Sequence, residues 1–264
     1  MTTTWLICID DTDDIGTKGT GEIAEEIMYL IMSKSHLNSV NETENNIAAW
    51  VTRHQLFVHP DIPYTSHNSA MCFELQSALS LSQIKQICTE HLLAESASVA
   101  DPGLAIVDKL ALTHDDVVNL IAFGSEAKRE VKTKDQAYQL AKDVNVDLSE
   151  HGGTGQGVIG AIAGIGLRLS GNDGRVKGKI SVGLAENTDY ISLSVNQIIA
   201  CSGLDGVIDI EGVKRDGEDI IVLSGKVKAV FVHDQFLLLV YQSLDNQTGK
   251  KHWCNALKQQ LKKY

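Results

Sequence analysis

The chain has no apolar run long enough to span a bilayer, and its start lacks a basic segment leading into a small-residue cleavage site. A membrane helix and a secretory leader are therefore not expected. Positive charge is also scarce: 23 Lys and Arg stand against 34 Asp and Glu in 264 residues, a formal net charge of -11. Affinity for RNA comes largely from Lys and Arg contacts to phosphate, so a partner of tRNA size is disfavoured. Cys8, Cys72, Cys88, Cys201 and Cys254 are widely spaced with no Cys-x-x-Cys pair, which gives neither a disulfide framework nor a zinc motif. His54, His59 and His67 lie close together, but their spacing fits no metal motif. There is no internal repeat or low-complexity tract. The basic cluster Lys250-Lys251 with Lys258, Lys262 and Lys263 reads as the solvated face of a terminal helix. These absences describe a reduced, cytoplasmic protein of one composite unit, or of two domains plus a small module.

What the chain does have is concentrated acid. Asp10-Asp11-Thr12-Asp13-Asp14 closes the apolar run Trp5 to Ile9 and is followed at once by Gly16-Thr17-Lys18-Gly19-Thr20-Gly21. Carboxylates packed this closely repel one another, so some take up protons or a magnesium-like ion neutralises them. Asp10, Asp11 and Asp13 are the candidate metal ligands. The segment after them opens a helix whose N-terminal amides attract anions, which makes Thr12, Gly19 and Gly21 candidate phosphate contacts. Lys18 is a cation in the same loop, suited to neutralising phosphate charge in a transition state. A metal and a phosphate together indicate a nucleotide site, with a magnesium-like ion and a nucleotide as the expected ligands.

A second glycine-rich loop, His151-Gly152-Gly153-Thr154-Gly155-Gln156-Gly157, leads into the apolar stretch Val158 to Leu169, which is interrupted by Gly160, Ala161, Ala163, Gly164 and Gly166. It lacks the Lys-Ser/Thr ending of a P-loop, and no strong strand precedes it. Gly153, Thr154, Gly155, Gln156 and Gly157 are candidate nucleotide contacts if this loop meets the first one beside Asp10. A side chain at Gly155 or Gly157 should then block phosphate while leaving the fold largely intact.

Periodicity and turn signals predict strands at Thr4 to Ile9, Ala48 to Val58, Ala70 to Leu75 and Leu104 to Val107. Helices are predicted over Gly21 to Ser33, Ser82 to Glu95 and Thr133 to Asp143, the last capped by Thr133. The polar segment Asn38 to Asn46 reads as a loop. After Arg168 the pattern is β-rich, with strands at Lys179 to Leu184, Tyr190 to Val195, Val207 to Ile210, Ile220 to Val222, Lys226 to Val232 and Phe236 to Tyr241. The last two form a predicted hairpin through His233-Asp234.

Four blocks in order carry a resemblance. Ile9-Asp10-Asp11-Thr12-Asp13 with Thr20, His59-Pro60-Asp61-Ile62-Pro63-Tyr64, Asp101-Pro102-Gly103-Leu104-Ala105-Ile106 and Gly155-Gln156-Gly157-Val158-Ile159-Gly160-Ala161 are similar to segments of the archaeal 2-agmatinylcytidine synthetase family. That family attaches agmatine to a cytidine of an isoleucine tRNA. The resemblance covers roughly residues 1 to 195. It implies an α/β (α+β) fold, with a kinase-like nucleotide-binding domain in two pieces, 1–62 and 121–198. A ferredoxin-like domain would be inserted at 63–120, ahead of a β-rich segment with a terminal helix at 199–264. It also implies phosphoryl transfer from ATP with Asp10, Asp11, Lys18 and Thr20 at the centre, where Thr20 is the phosphoryl acceptor, a phosphate holder or a plain helix cap. Asp61, Tyr64 and Asn68 fall where the family lines the mouth of its active site, facing the substrate.

The departures fall on groups that would handle RNA. Thr65-Ser66-His67-Asn68-Ser69 stands where the family has Lys-Thr-Arg-Gly-Asn, Gln156 replaces an arginine, and the family's OB-fold and zinc ribbon have no counterpart. The expected function is ATP-dependent kinase or ligase chemistry on a small-molecule acceptor. The alternatives are a nucleotide-binding regulatory protein without turnover, or a shortened tRNA cytidine-modifying enzyme using agmatine or a similar amine.

Overall fold

The computed structural model describes residues 2–36, 49–62, 67–183, 189–244 and 249–264. The expected loop 38–46 and Tyr64 lie outside them. The chain is a mixed α/β protein that separates into two compact units, Met1–Ser170 and Gly171–Tyr264. No helix among the described residues is long and apolar enough to cross a membrane.

The first unit is built on β1 (Thr3–Asp10), whose apolar run is continuous because both of its faces are covered. Successive side chains alternate between faces. Leu6 and Cys8 enter one core, while Trp5, Ile7 and Ile9 enter another. Around β1 lie β2 (Thr52–Gln55), β3 (Ser69–Ser77), β4 (Gly103–Asp108) and β5 (Asp147–Glu150) in the order β5-β4-β1-β3-β2, with every neighbouring pair antiparallel. Helix α1 (Thr20–His36) links β1 to β2, and α2 (Leu81–Glu95) links β3 to β4. Each crossover thus skips one strand, β3 between β1 and β2 and β1 between β3 and β4, the split βαβ arrangement repeated. Ile23, Ile27 and Ile31 of α1 join Ile84, Cys88 and Leu92 of α2 over one face of the sheet. Of the span 63–120, expected as an insertion, β3 and β4 hydrogen-bond to β1 on either side.

The opposite face carries α3 (His114–Glu126), α4 (Lys134–Asp143) and α5 (Gly157–Leu169), which bury Leu120, Phe123, Ala137, Ala141, Ile162 and Ile165. Thr133 caps α4 as expected, accepting from the Gln136 amide while Gln136 bonds back. Helix α5 is apolar but for Arg168 in its last turn, because nearly all of it is buried. Its glycines set the packing distance: a Cβ on Gly166 would lie 1.9 Å from the Leu120 carbonyl oxygen, and one on Gly164 2.3 Å from Cys8 Sγ. Only a helix with bare backbone at these positions sits this close.

In the second unit, β6 (Arg175–Val176), β10 (Ala229–Val232), β11 (Gln235–Leu244), β12 (Lys251–Asn255), β9 (Ile220–Ser224) and β7 (Tyr190–Ser194) follow in sheet order, and β8 (Gly206–Asp209) runs parallel to β11. Helix α6 (Val195–Ser202) follows β7. The predicted hairpin forms between β10 and β11, with His233 and Asp234 at φ 54° and 56°, the left-handed pair of a type I′ turn. Two expectations are corrected. Residues 179–182 form no strand, although Ile180 and Val182 are buried and the Ile180 amide reaches the Val227 carbonyl at 3.0 Å. Lys251 lies in strand β12, and the end of the chain is a short 3-10 turn, Gln260–Lys263, not an α-helix carrying the whole basic cluster.

Candidate functional site

The acidic turn begins where β1 runs out. Asp10, its last residue, pairs with Gly103 of β4 and is buried. Its carboxyl is held well above the usual carboxylate range by burial and by the negative charges of Asp11 and Asp13, while the Asp11 amide offsets part of this. Space for that carboxyl exists because α5 has no side chain over it: a Cβ on Gly160 would lie 1.7 Å from Asp10 Oδ2. Asp11 turns the chain at φ 55°. Burial, then the charges of Asp101 and Asp13, push its carboxyl up to about 6. Thr12 is fully buried; its carbonyl accepts from the Ala97 amide at 2.9 Å, and its hydroxyl has no partner among the described residues.

Helix α1 starts over the same turn. The Gly19 carbonyl accepts from the Glu22 and Ile23 amides at 2.8 and 3.2 Å, which makes Gly19 the cap residue, with Thr20 and Gly21 in the first turn. Thr20 is not a plain cap, because its buried hydroxyl donates to Asp13 Oδ1 at 3.0 Å. Lys18 faces elsewhere. Its ammonium bonds Glu26 of α1 at 2.8 Å and Glu95 of α2 at 2.6 Å, and these carboxylates raise its pKa. Glu26 also holds His91 Nε2 at 2.7 Å.

The second loop arrives at the same place. A short polar strand, β5, does precede it; its Asp-Leu-Ser-Glu sequence carries no apolar alternation, so the pattern hid it. The Gly157 amide donates to the Asp101 carbonyl at 3.1 Å, and a Cβ on Gly157 would lie 2.9 Å from the Asp10 carbonyl oxygen. The start of α5 therefore rests on the end of β1. Asp101 holds the loop itself: its carboxylate accepts from the Thr154 amide at 2.6 Å, from the Thr154 hydroxyl and from the Gln156 amide at 3.4 Å. Burial works to raise the Asp101 pKa but is outweighed by these bonds and by Lys134, which keep it below the ordinary value. Lys134 also bonds the Thr154 carbonyl at 2.7 Å and Glu150 at 2.7 Å, while Tyr138 donates to Glu150 at 2.7 Å.

The glycines of this loop are structurally required. Gly153 and Gly155 have φ of 53° and 74°, and a Cβ on Gly155 would lie 1.9 Å from Glu150 Oε2. A Cβ on Gly157 would lie 2.3 Å from the Asp101 carbonyl oxygen. Substitution at either position therefore disturbs the fold as well as any phosphate, contrary to the expectation of an intact fold.

The structure thus gathers Asp10, Asp11, Thr12, Asp13, Gly19, Thr20, Gly21 and the loop 153–157 at one end of β1 and β4, and turns Lys18 away toward α1 and α2. Asp61 is exposed, and Asn68 spans the β2–β3 connection, donating to the Phe57 carbonyl at 2.6 Å and accepting from the Leu56 amide at 2.9 Å. Two participants escaped the sequence reading. Asp101 opens the third of the four resembling blocks, and Gly160 lies one helical turn into α5. An open groove of 680 Å³ lies between α3 and α4, lined by Phe123, Glu126 and Lys132, and no acidic-turn residue borders it.

Among the described residues no group of three His, Cys, Asp or Glu is arranged to hold a metal ion. Magnesium needs only one or two carboxylates when phosphate and water complete its shell. The uncompensated charge around Asp11 and Asp13, next to the unpartnered Thr12 hydroxyl, fits such an ion.

No family model matches the sequence, and no curated protein matches it. Solved structures do. The complex of TiaS with its isoleucine tRNA and ATP superimposes with a TM-score of 0.49 at 22% identity, over 62% of this chain and 36% of that one. The likeness is partial, and it is one of fold. A tRNA fluorescent labeling enzyme gives 0.47 at 22% identity, over 62% and 36% of the two chains. A TiaS complex with tRNA, AMPCPP and agmatine gives 0.47 at 19% identity, over 72% and 38%. The chain spans little more than a third of the length of these structures.

Proposed function

We propose that the acidic turn binds ATP with magnesium and that the protein transfers the terminal phosphoryl group to a small-molecule acceptor, activating an oxygen for later attack by an amine. The observation that carries this reading is the convergence of two helix starts, Gly19-Thr20 of α1 and Gly157 of α5, on the segment Asp10 to Asp13. Helix starts supply amide donors to phosphate. Asp11 and Asp13 would hold magnesium, which supplies neutralisation of phosphate charge. Asp10, sealed beneath Gly160, shapes the turn from below. Thr20 either steadies the terminal phosphate through its hydroxyl or carries the phosphoryl group to the acceptor, in which case its proton passes to Asp13 as ADP leaves and returns to its oxygen when the acceptor takes the phosphoryl group. The net charge of -11 supports a small acceptor over tRNA.

The kinase-like and ferredoxin-like labels belong to this proposal as well. The order β4-β1-β3-β2 with its two split crossovers supports a ferredoxin-like unit over residues 3–108, bounds that differ from the insertion expected at 63–120.

The test is calorimetric titration with ATP and magnesium, followed by an assay of ATP turnover. Asp11→Asn should weaken metal-dependent ATP binding by about 1 to 3 kcal/mol, the scale of a lost charge-assisted contact. Unchanged binding removes the metal assignment. Binding without hydrolysis or phosphoryl transfer leaves a nucleotide-binding regulatory protein, for which the engagement of Lys18 with Glu26 and Glu95 is the supporting observation.

A further inference from the structure

The loop 153–157 already holds an anion, and that anion is part of the chain. Three donors converge on the Asp101 carboxylate: the Thr154 amide, the Thr154 hydroxyl and the Gln156 amide. Amides of two alternate residues of one loop, Thr154 and Gln156, aimed at one carboxylate just before a helix, form an arrangement that can receive phosphate oxygens. The donors are fixed from behind, because Lys134 ties the Thr154 carbonyl to Glu150 and the left-handed Gly153 and Gly155 set the curve of the loop.

Resting on the nucleotide reading above, we propose that Asp101 is an internal stand-in for phosphate, holding the amides of the second loop in binding geometry and leaving them when a phosphate group enters. The exchange is nearly balanced, one anion for another on the same donors. Affinity for polyphosphate is therefore lowered by the strength of the Asp101 contacts, while the loop stays ordered without ligand. The displaced carboxylate adds its charge to those of the acidic turn, which magnesium would compensate. A polyphosphate without the metal would meet all of these charges unscreened, so the arrangement selects the metal-loaded nucleotide.

The probes are inorganic tripolyphosphate and ATP, each titrated with and without magnesium into the full chain and into Asp101→Asn. The asparagine keeps the side-chain shape and removes the charge. Asp101→Asn should bind tripolyphosphate in EDTA at least about tenfold more tightly than the native chain, as expected for the loss of a charged competitor. Equal or weaker binding by the variant, with magnesium-ATP still binding the native chain, overturns the proposal and leaves the nucleotide reading intact. Failure of both chains to bind magnesium-ATP overturns the nucleotide reading and this proposal with it. A measurement on the native chain covers the case of a poorly folded variant: the Asp101 carboxyl carbon resonance should shift on saturation with tripolyphosphate together with the Thr154 and Gln156 amides. Amide shifts with an unmoved Asp101 resonance overturn the exchange.

Discussion

Gly160→Ala tests whether α5 is spaced by its glycines against the acidic turn. An added Cβ would sit 1.7 Å from Asp10 Oδ2, 2.5 Å from its Cγ and 2.9 Å from Leu56 Cδ1. The leucine methyl is the end of a flexible side chain and can yield. The carboxyl is buried on the last residue of β1 and has to move into neighbouring atoms. Overpacking of this kind costs up to about 3 kcal/mol, and the better helix propensity of alanine returns about 1, leaving a loss near 2 kcal/mol. For a unit of this size the midpoint of thermal unfolding should fall by about 4 to 8 °C. The decisive measurement is the same substitution in an Asp10→Ala background, where the colliding group is gone. There Gly160→Ala should be nearly neutral, which gives a coupling energy near 2 kcal/mol in a double-mutant cycle. An equal loss in both backgrounds, or no loss in the native one, refutes the claim that the carboxyl and the helix share this space.

Proton linkage gives a second outcome. Asp11 titrates near 6 in the folded protein, above its unfolded value of about 3.9, so the folded form binds the proton more tightly. Its contribution to stability is fully present below about pH 4 and is lost as pH rises to about 6, while magnesium affinity rises over the same interval because the ion needs the carboxylate. Magnesium titrations at about pH 5 and pH 7.5 should therefore differ, and Asp11→Asn should flatten the difference; a pH-independent affinity in the native chain contradicts this role. Gly155→Val should abolish nucleotide binding and also lower stability by about 1 to 3 kcal/mol, because a strained left-handed residue and a collision with Glu150 are created together. Intact thermal stability in that variant would mean that the loop relaxes freely. Filter binding of tRNA at about 0.15 M salt should detect no complex, given the net charge. Submicromolar retention would assign the protein to RNA.

The acidic turn was legible because it joins two strong signals, a continuous apolar strand and a cluster of carboxylates that no core tolerates. The helices α1, α2 and α4 were legible through periodicity, and Thr133 through its capping pattern. Helix α3 escaped because its sequence, His-Asp-Asp-Val-Val-Asn-Leu-Ile, opens on acid and runs β-branched residues together; a capping box at Thr113 and packing of Leu120 and Phe123 against α5 decide it. Strand β12 escaped because Lys-His-Trp-Cys-Asn has no clear alternation and is recruited by its neighbours, antiparallel to β11 and parallel to β9. Asp101 lay in view inside an Asp-Pro-Gly turn, yet its partners Thr154 and Gln156 are more than fifty residues away. No local pattern reports a contact of that range.

The glycines of α5 also fix what can move. Gly160 and Gly164 let the helix down onto Asp10 and Cys8, and Gly166 fits it against the Leu120 carbonyl of α3. Sliding it by one residue along its axis would drive isoleucine or alanine side chains into spaces that admit only hydrogen, so α5 behaves as a keyed shaft. The turn from Asp14 to Gly19 is keyed in no such way: Asp14 and Thr17 bond each other, and Lys18 is moored to α1 and α2 by half-buried ion pairs. Those moorings weaken with salt. Hydrogen-exchange protection of this turn should therefore fall as ionic strength rises, while that of α5 beneath it stays unchanged.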